Sequence, residues 1–124
     1  MIQAAVLTVL IETFLFFLYG YRQKMFLAVV ALANLVTNVT LNLAVFVTAL
    51  LCARSILPGY AFYIVIAFGE AAAVAAEYII YEKYLRDSDN AKYHNRKRLL
   101  FIQTLSTNAV SFTAGLLLTF LSNK

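Results

Sequence analysis

Charge is what this chain has least of. Only 13% of its 124 residues are Asp, Glu, Lys or Arg, against 63% hydrophobic. With a mean hydropathy of +0.80, that excludes an ordinary solution domain, whose charged fraction runs at about 25%. The single cysteine, Cys52, excludes an intrachain disulfide and a cysteine metal cluster, and reads as a small apolar filler. The single histidine, His94, stands in a basic segment with no cysteine or second histidine near it, so it reads as solvated rather than as a ligand. No nucleophile elbow, phosphate-binding glycine loop or HExxH sequence is present. Nothing specifies catalysis, no cofactor is expected, and the sequence names no metal.

What the chain does have is apolar length. Four runs, over about residues 2–19, 25–53, 60–81 and 99–121, take up nearly all of it. Each is about long enough to cross a hydrocarbon core of roughly 30 Å. The expected fold is all-α: a single polytopic domain over residues 1–124, a bundle of four transmembrane helices. Gly20 to Lys24 is too short for anything but an antiparallel hairpin. The second run exceeds what a membrane requires and should tilt or project; Arg54 to Gly59, with the only proline, Pro58, closes it. Residues 82–98 hold most of the charges and read as an aqueous loop. The N-terminal run has no basic flank and carries Glu12, so it reads as a retained first helix rather than a cleaved signal. The glycosylation match Asn38-Val39-Thr40 falls in mid-run, out of reach of a glycosyltransferase.

The net charge of +4 and the pI near 9.3 report topology before they report nucleic acid, and no nucleic acid is expected as a partner. Arg22, Lys24, Lys83, Arg86, Lys92, Arg96, Lys97 and Arg98 follow the first and third runs, while the opposite side has only Arg54 and Lys124. That bias puts the basic loops in the cytoplasm and both termini outside, in a bacterial inner membrane, with Arg96-Lys97-Arg98 against anionic lipid headgroups.

The chemistry lies in the acids. Glu12, Glu70 and Glu77 fall inside the apolar runs, and no run contains a lysine or arginine to neutralise them. Each such group at a bilayer centre costs about 2.5–3.5 kcal/mol on insertion scales, so it is either paired or put to use. Glu70 and Glu77, in the stretch GEAAAVAAE, point the same way about 10 Å apart along a helix. Asn34, Asn38 and Asn42 form a slanted stripe on the second helix; Thr104, Asn108, Ser111 and Gly115 form another on the fourth. Counted from the run ends, Glu12, Asn38, Glu70 and Asn108 share a midplane layer, and Glu77, Asn34, Gln103 and Thr104 a more cytoplasmic one. The candidate ion or solute site is therefore Glu12, Asn38, Glu70, Glu77 and Asn108, supported by Asn34, Asn42, Gln103, Thr104 and Ser111.

Two accounts of these residues stay open. Buried amides and hydroxyls serve as interhelical glue, and Gly69 with its flanking alanines simply lets helices approach. Alternatively, the carboxyls bind or pass a proton, a cation or a small cationic or polar solute, with Asn38 and Asn108 amide oxygens beside Glu70. A non-catalytic membrane subunit docking a larger partner is the second functional reading, and a lipid-modifying enzyme with a glutamate base the third. A bundle this small has little interior volume, so a homo-oligomer or a partner membrane subunit is expected if it transports anything.

Thr37-Asn38 with Leu41-Asn42, then Glu70 and Glu77, then Ser106-Thr107-Asn108 with Ser111-Phe112 and Gly115, resembles a pattern in small bacterial polytopic membrane proteins. The resemblance covers the second to fourth runs and implies that these polar positions work as one unit. It brings no activity with it. This chain departs from the pattern in lacking a proline after Asn38.

Overall fold

The computed structural model describes residues 2–87 and 96–122. They form four helices: α1 (Ile2–Leu18), α2 (Lys24–Ala53), α3 (Tyr60–Asp87) and α4 (Lys97–Ser122). The last three are each long and apolar enough to cross a membrane. α1, at 17 residues, is about 26 Å long and stands at the lower limit of a spanning helix.

The helices ring a common interior in chain order. α2 and α3 share the largest contact, α1 packs on both α2 and α4, and α3 and α4 close the ring along its thinnest seam. Partners across each seam run in opposite senses: Thr37 meets Glu77 where Asn34 meets Tyr81, and Glu12 meets Ser111 where Tyr21 meets Gln103.

Both described turns follow from how a helix ends. After α1 the Gly20 N–H reaches Phe17 O and the Tyr21 N–H reaches Phe16 O, with Gly20 at φ +98°. This is the Schellman arrangement, which needs a left-handed residue after the helix and a contact between its flanking apolar side chains. The Tyr21 and Phe16 rings supply that contact at 5.6 Å. α2 ends in the same way, with Ser55 N–H on Cys52 O and Ile56 N–H on Leu51 O. There the left-handed residue is Ser55, at φ 57°, a conformation that costs a residue with a Cβ about 1–2 kcal/mol.

The packed core sits at the end of the bundle nearest the basic segments. Phe16, Tyr21, Phe26, Val30, Ala33, Tyr81, Leu85 and Leu100 form it, one or more from every helix or the turn beside it. Phe16 is its hub, with Tyr81 at 5.2 Å, Phe26 at 5.8 Å and Tyr21 on its other edges, all edge-to-face. Toward the opposite end the helices bury far less of their surface: Leu50, Tyr60, Tyr63, Leu116 and Leu117 are exposed.

The expected aqueous loop over 82–98 is shorter than the charges suggested. α3 continues past Tyr81 to Asp87, and α4 begins at Lys97. No proline or glycine interrupts residues 82–87, and Glu82 and Arg86 stand four apart on the helix surface, with Arg86 Nη1 3.9 Å from Glu82 Oε2. Lys97 Nζ, 3.2 Å from Glu82 Oε1, ties the start of α4 to the end of α3. Lys92, His94, Asn123 and Lys124 lie outside the described residues.

Candidate functional site: a carboxyl-lined cavity

Above the aromatic core the ring opens into a cavity of about 190 Å³. α1 contributes Ala5 and Thr8, α2 Thr37, Asn38, Leu41 and Asn42, α3 Glu70, Ala73 and Glu77, and α4 Asn108, Ser111, Phe112, Gly115 and Leu116. Helical spacing explains the set. Thr37, Asn38, Leu41 and Asn42 recur at the three- and four-residue intervals that keep side chains on one face, and so do Asn108, Ser111, Phe112 and Gly115.

The two carboxyls on α3 are in different states of commitment. Glu77 is 1% exposed. Its Oε1 lies 2.5 Å from the Thr37 hydroxyl and its Oε2 2.7 Å from Asn108 Nδ2, so α2 and α4 each donate to it. Distances this short mark strong hydrogen bonds to a carboxyl. Asn108 uses its second amide proton on Thr104 O at 3.0 Å, which leaves its amide oxygen as the free acceptor. Glu70, two turns away, is partly exposed and makes no hydrogen bond or ion pair among the described residues.

Behind the cavity wall lies a fully buried polar layer. Glu12, 0% exposed, receives the Ser111 hydroxyl on Oε1 at 2.7 Å. Asn34, also buried, donates to Val30 O and to the Tyr81 hydroxyl, each at 3.1 Å. Glu12 Oε2 and Asn34 Oδ1 have no hydrogen-bond partner among the described residues, two acceptors in one buried layer. Ser111 thus belongs to both levels: it lines the cavity and holds Glu12.

The cavity gathers Asn38, Asn42, Glu70, Glu77, Asn108 and Ser111 of the expected site. Glu12 and Asn34 stand just behind it. Gln103 and Thr104 do not join it: Gln103 accepts from Tyr21 at the closed end, and Thr104 turns its hydroxyl onto Leu100 O in its own helix. The expected layers are also redistributed. Glu77, rather than Glu70, stands level with Asn108, because α3 runs on to Asp87 and its centre moves toward Glu77. Asn38 donates one amide proton to Asn34 O, so its oxygen and its second N–H are left for the cavity.

Two residues escaped the sequence reading, and a third, Thr37, entered it only through the resemblance. Thr8 stands four before Glu12, Tyr81 four after Glu77 and Thr37 three after Asn34. Each is on the helix face of a residue already singled out, and following both the three- and four-residue steps from every acid and amide finds them. Ser111 and Gly115, a small-residue pair that elsewhere marks a helix seam, serve the cavity: Ser111 bonds Glu12, and a Cβ on Gly115 would meet nothing within 4 Å. Gly69 is the tight position instead, since a Cβ there would run into Leu41 of α2.

No family model, curated protein or solved structure matches the chain. What the site does has to be read from its own residues. Among the described residues no three His, Cys, Asp or Glu side chains cluster to hold a metal ion. The arrangement offers one uncommitted carboxyl, the amides of Asn38, Asn42 and Asn108, and a second carboxyl already fixed in place, all in a space too small for a large solute.

Proposed function

We propose that the protein is a four-span bacterial inner-membrane protein, with both termini outside, that binds or translocates a proton, cation or small cationic solute at this cavity. The observation that carries the reading is Glu70: a carboxyl on the cavity wall, half-buried, with no basic partner or hydrogen-bond donor among the described residues. An uncompensated acid in an apolar span is expensive, and a cationic guest supplies the missing charge. Glu70 provides the counter-charge, Asn38 and Asn108 turn amide oxygens to the guest, and Glu77 fixes the wall by holding Thr37 and Asn108. Four spans require α1 to cross with its 17 residues, which a locally thinned bilayer accommodates.

The test is flux into proteoliposomes of wild type, Glu70→Gln and Glu77→Gln, with a panel of inorganic and organic cations. Uptake by wild type that Glu70→Gln abolishes supports the reading. A wild type that moves no cation, or two variants that move it equally well, sinks it.

A second reading, a non-catalytic subunit docked to a larger membrane partner, is favoured by the exposed alanines Ala71, Ala72 and Ala75 on α3. Purification in mild detergent separates the two: the subunit reading fails if a stable homo-oligomer emerges with no copurifying protein.

A further inference from the structure

Glu70 faces two spaces. It lines the polar cavity of about 190 Å³, and it also lines an apolar groove of about 690 Å³ along the α3–α4 seam. Asn108 and Phe112 border both spaces as well. The rest of the groove is Tyr63, Ile66 and Val74 of α3 against Phe101 and Leu105 of α4, floored by small residues such as Ala71 and Ala75. Ala71, Ala75, Phe101 and Leu105 are exposed on the outer surface of the bundle, so the groove opens sideways, onto what in a membrane is lipid.

Size separates the roles of the two spaces. Sites for drug-sized ligands occupy about 300–1,000 Å³. The polar cavity is below that range and suits a charged head alone; the groove is within it and suits an apolar body. Resting on the cation-binding reading above, we infer that the ligand is an amphiphilic cation. Its positive head sits between Glu70, Asn38 and Asn108, its apolar body lies in the α3–α4 groove, and it arrives laterally from the bilayer. The occupant is fixed by charge complementarity: the groove leads to Glu70, no lysine or arginine lies within residues 60–81 or 99–121 to receive an anionic headgroup, and a neutral acyl chain leaves Glu70 uncompensated.

The experiment measures binding of decyltrimethylammonium and of tetramethylammonium, which share one charged head, to the protein in lipid nanodiscs, against protein-free discs. Two variants accompany it: Glu70→Gln, and Ala75→Leu, which fills the groove from an exposed position. The expected result is decyltrimethylammonium binding at least tenfold tighter than tetramethylammonium. Glu70→Gln should weaken both cations at least tenfold, and Ala75→Leu the decyl cation alone. Equal affinity for the two cations, both sensitive to Glu70→Gln, overturns the apolar-body site while leaving the cation reading intact. Binding of neither overturns both. Decyl-cation binding unchanged in Glu70→Gln makes the groove a lipid slot without charge recognition. Conversion of a dimer to a monomer by Ala75→Leu makes it a seam between copies. Either of these last two also overturns the inference.

Discussion

Asn108 Nδ2 donates to Glu77 Oε2 across 2.7 Å, and this bond joins α4 to α3 along the seam where those two helices touch least. Where apolar packing is thin, a single buried polar contact takes on a larger share of holding two helices in register. Replacing Asn108 by Leu leaves a buried carboxyl oxygen without its donor, for a loss of about 1–3 kcal/mol. A double-mutant cycle of Asn108→Leu with Glu77→Leu, read by unfolding in detergent, should give a coupling of about 0.6–1.7 kcal/mol. Additive losses would show that the bond does not form.

Ser111 supplies the hydrogen bond that Glu12 receives on Oε1. Ser111→Ala should therefore destabilise the bundle by about 1–3 kcal/mol. Glu12→Gln should instead be neutral or stabilising, because its amide brings two donors into a layer that holds the unpartnered Asn34 Oδ1. Thermal unfolding of both variants checks this. A Glu12→Gln protein less stable than Ser111→Ala would count against the geometry.

The two helix ends make opposite predictions. Ser55→Gly removes the left-handed strain at φ 57° and should raise stability by about 1 kcal/mol. Gly20→Ala imposes the same strain at φ +98° and should lower it by a comparable amount. Neither side chain lines the cavity, so cation binding should survive both changes, and a binding assay beside the melting curves would reveal otherwise.

Phe16→Ala should cost about 3–5 kcal/mol, since it empties the centre of the aromatic cluster. Phe14→Ala, two residues away on the exposed face of the same helix, should change stability by no more than about 0.5 kcal/mol. Similar losses at the two positions would mean that α1 is rotated from the orientation described.

The architecture was largely legible from the residues because apolar run length and helical period are local properties. Four helices and both short turns follow from them. Position along the axis was less legible: the end of α3 was expected at Tyr81, where apolarity stops, yet helix propensity and the Glu82–Arg86 pairing carry it to Asp87. That shift is what moved Glu77 level with Asn108. The aromatic hub was not legible at all, since Phe16, Phe26, Tyr21 and Tyr81 look like the other aromatic residues in the runs until the fold brings their rings together. Tyr21 and Tyr81 stand at the ends of apolar runs, where interfacial aromatics are expected, whereas both are buried. Gln103 and Thr104 show the converse: both were counted into a layer with Glu77, but their partners belong to the closed end.

That hub has a bearing on what kind of machine this can be. A chamber closed at one end by interlocked rings offers no route through that end. Passage through the protein requires Phe16 to part from Tyr81 and Phe26, and edge-to-face contacts of about 0.5–1.5 kcal/mol each, together with the area they bury, resist that. A guest can open such a seal only to the extent that it binds the opened form more tightly than the closed one. On the cation-binding proposal, the seal that a guest has to open to cross the bundle is therefore built of aromatic rings, one layer below the acids that hold it.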